Sequence, residues 1–286
     1  MSASAIATRN TTDSPAQKQR ALEDWLRARQ RLAIGFSGGV DSAYLAVVAR
    51  RVLGPDGVLA IIGRSASYPA EQWATARDVA ERFDVSVREL DTDELNDPRY
   101  AANPSNRCYF CKTELWSKLV PVARELAFTC VADGTNADDL GDYRPGAQAA
   151  AEHSVESPLA TLGFTKADIR ELSRELGIPT WEQPSSPCLS SRLPYGTAVT
   201  AARLALVERA ERALRALGIE GDLRVRHHGE LARVELSPHM LDEWLQPARA
   251  AALRDALVAA GYERVAIDLV GFRSGSLNVL HGVVGA

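Results

Sequence analysis

Residues 31–42 read RLAIGFSGGVDS, an apolar run that ends at a glycine-rich loop. The run from Arg31 to Phe36 predicts a strand, and a helix is predicted from Ser42 to about Leu53. Glycines in such a loop let backbone amides approach an anion without a Cβ in the way, beside a helix N-terminus. We therefore predict a site for phosphate groups such as pyrophosphate. It consists of Ser37, Gly38, Gly39, Val40, Asp41 and Ser42.

This loop differs from the P-loop of kinases and GTPases, because no lysine follows its glycines and the spacing is different. A carboxylate beside bound phosphates needs a cation between them, so Asp41 is predicted to bind magnesium or to organise the loop. The alternative is a tight strand-to-helix turn, in which the glycines serve the backbone geometry alone.

Strand and helix patterns alternate along the first half of the chain. Apolar runs at Val58–Ile62, Val85–Leu90 and Phe128–Ala132 are interspersed with helical patterns at Gln17–Gln30, Pro69–Arg82 and Cys111–Leu126. This order predicts an α/β fold with a doubly wound parallel sheet that is covered on both faces. Ligands of such sheets lie outside the carboxyl ends of the strands.

A second loop is predicted at one of these strand ends. It reads Asp133-Gly134-Thr135-Asn136 and follows an apolar run, so it could face the same crevice as the phosphate loop. Gly134, Thr135 and Asn136 would then lie beside the phosphates bound at the first loop. The alternative is a turn of Asn, Asp and Gly residues with helix-capping duty.

The segment from Ile178 to Gly196 contains four prolines and a cluster of serines, which predicts an ordered functional loop or an interdomain connection. We accordingly divide the chain into a disordered lead-in at 1–16, an ATP domain at 17–180, a cysteine-containing connection at 181–199 and a smaller α+β domain at 200–286. The last of these is predicted to contain a helix at Thr200–Leu217, a strand pair at Leu223–His227 and Leu231–Leu236, a helical stretch to Ala260 and a strand at Val265–Leu269.

Composition narrows the class of protein. The chain has 286 residues, of which 46% are hydrophobic, and a formal net charge of −4, so no basic field would attract nucleic acid. No run of 18 apolar residues predicts a membrane span, and no signal peptide is recognisable at the N-terminus. Four cysteines without an export signal favour a reducing, cytoplasmic location and point to metal or thiol chemistry.

Three of the cysteines have spacings that suggest chemistry. Cys108 and Cys111 form a CxxC just before a predicted helix, Cys188 lies in the later loop, and Cys130 is predicted to be a buried packing residue. Three thiolates can hold an iron–sulfur cluster with one iron open to an outside ligand, whereas a structural zinc site would need a fourth ligand. The alternative is that Cys108 and Cys111 pack or bind zinc and only Cys188 is reactive.

Longer motifs extend the pattern. They read NRCYFCKTELW at 106–116, DGTNADD at 133–139, RPG at 144–146, SSPCLSSRLPYG at 185–196 and RVRHHGELARVEL at 224–236. Together with the phosphate loop they resemble the LarE family of ATP-dependent sulfur transferases, the pyridinium-3,5-bisthiocarboxylic acid mononucleotide synthases of the PP-loop (N-type) ATP pyrophosphatase superfamily. The resemblance covers nearly the whole chain from about residue 17.

The resemblance implies a reaction. ATP would adenylate a carboxylate of pyridinium-3,5-biscarboxylic acid mononucleotide, an enzyme sulfur would attack the acyl adenylate, and a thiocarboxylate would leave. Two rounds would supply the sulfurs of the nickel-pincer nucleotide used by lactate racemase. The chemistry is consistent, because a carboxylate is a poor electrophile until it is activated and a thiolate is a strong nucleophile. The resemblance also implies ATP and Mg²⁺ as cofactors and a homo-oligomer, up to a hexamer.

The sulfur source differs between two branches of the family. In one, the cysteine that matches Cys188 donates its own sulfur and becomes dehydroalanine. In the other, cysteines that match Cys108, Cys111 and Cys188 hold a [4Fe–4S] cluster, and an additional sulfide on the open iron is delivered to the substrate. Because all three cysteines are present, we predict the cluster branch.

Other residues are assigned weaker roles. Arg224 and Arg226 alternate along a predicted strand and share a face, where they could bind a phosphate or substrate carboxylates; the alternative is a solvated face. Arg192 is predicted near the substrate and Arg144 near ATP. Trp116 could stack on the cationic pyridinium ring, with core packing as the alternative.

Two carboxylates, Glu211 and Asp268, could complete a magnesium or intersubunit site, although ordinary surface carboxylates look the same. His227 and His228 are not predicted to bind metal. Three rival functions remain open at this point: an ammonia-dependent amidating ligase such as NAD synthetase, a tRNA-thiolating enzyme, and a sensor without turnover.

Overall fold

The computed structural model describes residues 13–141, 144–184 and 186–273. The helices are α1 (Pro15–Arg29), α2 (Val40–Leu53), α3 (Ala70–Arg82), α4 (Pro98–Ala101), α5 (Arg107–Glu125), α6 (Pro145–Glu152), α7 (Pro158–Thr161), α8 (Lys166–Glu175), α9 (Ala201–Ala216), α10 (Leu241–Trp244) and α11 (Pro247–Ala260). The strands are β1 (Leu32–Gly35), β2 (Val58–Arg64), β3 (Val87–Asp91), β4 (Cys130–Ala132), β5 (Leu223–His228), β6 (Leu231–Leu236) and β7 (Arg264–Ile267).

The first helix begins earlier than predicted. The Ser14 hydroxyl accepts a hydrogen bond from the Gln17 backbone amide at 3.3 Å, and the Gln17 side chain accepts one from the Ser14 amide at 2.8 Å. This reciprocal capping box, with Pro15 in the first turn, starts α1 inside the predicted lead-in. Residues 1–12 of that lead-in and 274–286 of the predicted C-terminal domain lie outside the described residues.

The predicted parallel sheet is confirmed. Among the described residues it has the strand order β3-β2-β1-β4, and every neighbouring pair is parallel. The residues of β1 and β4 are almost all buried, as expected for strands covered on both faces by helices. The strands β2 and β3 are added on one side of β1, and β4 is added on its other side. The order of the strands therefore switches at β1, and ligands of such sheets bind at this switch point.

Two helices start before the predicted residues. Helix α2 begins at Val40 because the Ala43 amide already donates to the Gly39 carbonyl at 2.9 Å, so Asp41 lies in the first turn. Helix α5 begins at Arg107 and therefore contains the CxxC, which was predicted to precede it. Cys108 and Cys111 are consequently three residues apart on one helix, a spacing that places them on the same side.

The described residues form two compact units. The first contains residues up to Arg64 together with Ala70–Thr92 and Cys111–Gln183, and thus the parallel sheet. The second contains Ser65–Pro69, Asp93–Phe110 and residues from Pro184 onward. The segment Asp93–Phe110, which was assigned to the ATP domain, is therefore part of the second unit.

The second unit has its own sheet and core. Strands β5 and β6 are antiparallel, as the hairpin pattern predicted, and β7 pairs in parallel with β6. Apolar residues of β5 and β6 pack with Leu253 and Leu257 of α11 and with Trp244. No helix in the described ranges has both the length and the apolar character that a membrane crossing would require.

Candidate active site

The phosphate loop has a conformation that depends on its glycines. Gly38 has a φ of +71°, and a Cβ built there would lie 2.7 Å from the Cα of Ala76. A Cβ on Gly39 would meet only the Ser37 hydroxyl, at 3.5 Å. Gly38 therefore serves the close packing of the loop on α3, whereas Gly39 leaves the other side open to a ligand.

Hydroxyl groups hold the loop in shape. The Ser42 hydroxyl donates to the Gly39 carbonyl at 3.1 Å, accepts from the Ser37 amide at 3.3 Å and lies 3.2 Å from the Ser37 hydroxyl. The Gln72 side-chain amide donates to the Ser37 carbonyl at 2.8 Å. Val40 is buried, so it can offer only its backbone to a ligand. Hydrogen bonds within the loop, together with the one from Gln72 of α3, therefore fix the conformation of the loop.

The second loop lies directly against the first. A Cβ on Gly134 would be 2.8 Å from the Ser42 nitrogen, and the Asn136 side-chain amide donates to Asp41 at 3.3 Å. The Asp133 carboxylate accepts bonds from the Thr135 amide and hydroxyl at 3.0 and 2.9 Å. The Asp133 bonds form the Asx-type turn that was predicted as the alternative to a ligand contact. The Asn136 bond holds this turn against the phosphate loop.

Charged groups gather beside Asp41. The Lys166 ammonium contacts the Asp41 carboxylate at 2.5 Å, and Arg144 pairs with Asp139. Burial raises the pKa of Asp139, and the charge of Asp41 adds to this effect, although Arg144 opposes it. Lys166 was not identified from the sequence. It lies 125 residues from Asp41, and no local signal connects the two.

The cysteines have different environments. Cys108 is exposed, Cys111 and Cys188 are partly exposed, and none of these described cysteines forms a disulfide. Cys130 is buried, as predicted, and burial together with the nearby Glu156 carboxylate raises the pKa of its thiol to about 12. No three His, Cys, Asp or Glu side chains in the described part of the chain lie close enough together to hold a metal ion.

Arg192 binds the loop that carries Cys188. Its Nη1 donates to the carbonyls of Pro187 at 2.5 Å and Cys188 at 3.1 Å, and its Nε and Nη2 donate to Glu211 at 2.9 and 2.8 Å. Glu211 also accepts the Val225 amide at 2.9 Å. Glu211 is therefore an internal ion-pair partner and not a surface carboxylate, and most of the Arg192 donors are already engaged within the protein.

Arg224 and Arg226 lie on a buried strand face, so the solvated alternative is wrong. They are 4% and 5% exposed, and Arg226 donates to Glu235 at 2.9 and 2.7 Å and to the Ser191 carbonyl at 2.9 Å. Burial and the charge of Arg192 lower the pKa of Arg224 to about 10. An anion placed there would relieve this repulsion, since Arg224 remains charged at neutral pH.

Three further residues have structural partners. Trp116 is fully buried, and a Cβ on Gly35 would lie 2.5 Å from its ring, so core packing accounts for it and no ring face is left for a ligand. Asp268 pairs with Arg233. His227 is buried with its Nδ1 3.2 Å from the Tyr262 hydroxyl.

Comparisons with known proteins agree with this arrangement. A family model described as NAD synthase matches residues 19–104, which include the phosphate loop. The chain is 43% identical over 261 residues to an uncharacterised protein of Synechocystis sp., covering 91% of this chain and 97% of that protein. An uncharacterised protein of Methanocaldococcus jannaschii is 29% identical over 209 residues, 72% of this chain and 78% of its own length.

A further relative has a name. It is the pyridinium-3,5-bisthiocarboxylic acid mononucleotide synthase of Lactiplantibacillus plantarum, which is 35% identical over 263 residues, 92% of this chain and 94% of that enzyme. The match extends over both compact units, and the parallel sheet with its phosphate loop is the arrangement expected of a PP-loop protein. The chain therefore belongs to the LarE family of PP-loop proteins and is an ATP-utilising enzyme.

Proposed function

We propose that this enzyme adenylates a carboxylate of pyridinium-3,5-biscarboxylic acid mononucleotide and converts it into a thiocarboxylate, in the biosynthesis of the nickel-pincer nucleotide. The observation that carries the proposal is the 35% identity, along nearly the whole chain, to a synthase named for the bisthiocarboxylic acid product. The pre-formed phosphate loop, with Gly39 open to a ligand, supports the ATP-dependent half of the reaction.

The first step is adenylation. A substrate carboxylate oxygen attacks the α-phosphorus of ATP, pyrophosphate leaves, and an acyl adenylate forms. Backbone amides from Ser37 to Ser42 would bind the phosphates, and Asp41 would hold Mg²⁺ jointly with phosphate oxygens, since Mg²⁺ needs only one or two protein carboxylates when phosphates complete its shell. Bound Mg²⁺ would neutralise charge on the leaving pyrophosphate. Lys166 keeps Asp41 paired in the ATP-free protein.

The second step transfers sulfur. A Cys188 thiolate attacks the acyl carbon, AMP leaves, and a thioester forms between substrate and enzyme. Removal of the Cys188 α-proton then allows its Cβ–Sγ bond to break, with the electron pair leaving on sulfur. The products are a thiocarboxylate and dehydroalanine at position 188, and no oxidant or reductant is consumed. Cys188 is partly exposed, as a nucleophile must be.

The predicted [4Fe–4S] cluster is a second possible sulfur source. Cys108, Cys111 and Cys188 would be its ligands, and the cluster would supply an additional sulfide. Among the described residues no group of three metal-binding side chains is already arranged around one point, so a cluster would require the three thiols to come together. The experiment below distinguishes the two sulfur sources.

Iron and sulfide analysis of anaerobically purified protein, with mass spectrometry of Cys188 before and after one turnover, separates the two sources. A Cys108→Ser variant that still gives one turnover, with dehydroalanine at position 188, supports sacrifice of Cys188. Iron and sulfide in the wild-type protein, with an unaltered Cys188 after turnover and an inactive Cys108→Ser variant, support the cluster.

The function itself is tested with ATP and the biscarboxylated mononucleotide. We expect AMP, pyrophosphate and a thiocarboxylate from the wild-type protein. A Cys188→Ala variant should still release pyrophosphate but form no thiocarboxylate under either sulfur source. An amide product that depends on added ammonia would contradict the proposal and identify a ligase like NAD synthetase, whose family model matches residues 19–104.

We also propose that the enzyme works in the cytoplasm, as its cysteine content favours, and that it is a homo-oligomer of up to six copies, as the LarE resemblance implies. Sedimentation velocity of the purified protein across a range of concentrations would measure the number of copies. A monomer at all concentrations would remove the oligomer from the proposal.

A further inference from the structure

Arg107 places a buried positive charge in the second unit. Arg107 is only 4% exposed, and its Nη1 donates to the Asn103 side-chain oxygen at 2.5 Å and to the Ser190 carbonyl at 2.9 Å. Both acceptors are neutral. The groups that act most strongly on the Arg107 charge are the thiols of Cys188 and Cys108, and no carboxylate is among them.

The Arg107 charge persists despite burial. Burial alone would lower the pKa of Arg107, but its attraction to the deprotonated forms of Cys188, Cys108, Tyr100 and Tyr195 outweighs burial and raises the pKa. An arginine suits such a place better than a lysine, because its guanidinium keeps its charge when buried and its planar fork can serve two acceptors at once.

Residues 100–107, the segment that contains Arg107, bind residues 187–197, the Cys188 loop, at several points. The Tyr100 hydroxyl lies 2.6 Å from the Ser190 hydroxyl, and the Asn103 side-chain amide donates to the carbonyls of Pro194 at 2.8 Å and Thr197 at 2.9 Å. This loop contains only a short 3₁₀ turn, so its carbonyls need such partners. Arg107 is the member of this set that also carries charge.

We propose that Arg107 is a positioning residue whose guanidinium fixes the backbone of the Cys188 loop and creates a positive field at the Cys188 sulfur, which favours an anionic reaction partner. A charge buried this deeply is screened less by solvent and salt than a surface charge. The inference deepens the proposed function, because an acyl adenylate and a carboxylated mononucleotide are both anions.

The test compares two alkylating reagents of similar size, anionic iodoacetate and neutral iodoacetamide. Both react with the thiolate, so the ratio of their rate constants at Cys188 reports the local field and not the thiolate fraction. Rates are measured for each cysteine by peptide mass spectrometry in the wild-type protein, Arg107→Met, Arg107→Lys and Arg99→Met. Arg99 is the matched control, an exposed arginine on the same segment that is paired with Asp97.

We expect the iodoacetate-to-iodoacetamide ratio at Cys188 to fall about three- to tenfold in Arg107→Met, as removal of one nearby charge predicts. Arg107→Lys should keep most of the ratio, and Arg99→Met should leave it unchanged. A merely structural loss of the loop would alter both rates alike. An unchanged ratio in Arg107→Met would overturn the proposal.

The wild-type protein provides a test that needs no variant. Its ratio at Cys188 should exceed that of N-acetylcysteine amide, a thiol without a charged group, in the same buffer, and a ratio equal to or below that of this neutral thiol would also overturn the proposal. The measurement needs neither ATP nor turnover. An enzyme that fails to form a thiocarboxylate would therefore leave this result intact, and the two failures can be told apart.

Discussion

Lys166 places a cation beside the phosphate loop, whose own sequence contains none. Its ammonium contacts Asp41, whose carboxylate would otherwise repel the phosphates that the neighbouring amides attract. We expect Lys166→Met to raise the KM for ATP about 10- to 100-fold, because a hydrogen bond to a charged group contributes about 1.5–3 kcal/mol. Steady-state pyrophosphate release at varied ATP concentration measures the change.

Lys118 provides a matched control for that substitution. Its side chain is 35% exposed, against 36% for Lys166, and it pairs with Glu114 on the surface of α5. Lys118→Met should leave the KM for ATP unchanged, and Lys166→Arg should restore most of the affinity. Equal KM values for Lys166→Met and the wild-type enzyme would show that Lys166 does not contribute to ATP binding.

The two parts of this site differ in how far the sequence reveals them. The phosphate loop from Ser37 to Ser42 is a continuous motif that contains two glycines and directly follows a predicted strand, so it could be recognised from the sequence alone. Lys166 could not, because its role depends on the adjacency of β1 and β4, which brings a helix 125 residues away to Asp41. Likewise, nothing local predicts that Arg192 would be bound by Glu211.

Helix α5 packs closely on the carboxyl ends of two strands. Cβ atoms built on Gly35 of β1 and Gly63 of β2 would each lie 2.5 Å from a side chain of α5, those of Trp116 and Leu115. We expect Gly35→Ala to lower the free energy of unfolding by about 1–3 kcal/mol, the usual cost of overpacking a core. Urea denaturation followed by tryptophan fluorescence measures it.

Gly141 is the control glycine for this experiment, because a Cβ there would meet nothing within 4 Å. Gly141→Ala should change the free energy of unfolding far less than Gly35→Ala. If the two variants were equally stable, the close approach of Trp116 to β1 would not be a constraint on the fold.

Most elements with a clear period were predicted to within a few residues, but α8 was missed although its pattern is strongly amphipathic and Thr165 and Asp168 form a capping box at its start. Strand β6 was predicted with its observed bounds, Leu231–Leu236, because its alternation is regular. Between residues 137 and 177 no element was predicted, yet α6, α7 and α8 form there. Two of these are no longer than eight residues, and their packing in the first unit stabilises them more than any intrinsic pattern does.

The division of the whole protein into units was also only partly visible in the sequence. The prolines and serines near residue 184 marked the place where the second unit resumes. The inclusion of Asp93–Phe110 in that unit could not be predicted, since it depends on bonds such as those from Asn103 to Pro194 and Thr197 across about ninety residues.

The two units should also respond differently to mild acid. Burial, with the charges of Arg203 and His228, lowers the pKa of His227 in the second unit below its ordinary value of 6.5. The unfolded chain therefore takes up a proton that the folded unit resists, so the stability gained from neutral His227 is complete above pH 6.5 and declines as the pH falls below it.

Hydrogen exchange of second-unit peptides at pH 7.5 and 5.5, corrected for intrinsic rates, should show this loss of protection. A His227→Gln variant should weaken the pH dependence in the second unit and leave first-unit peptides unaffected, whereas an undiminished dependence in that variant would assign the acid sensitivity to another group.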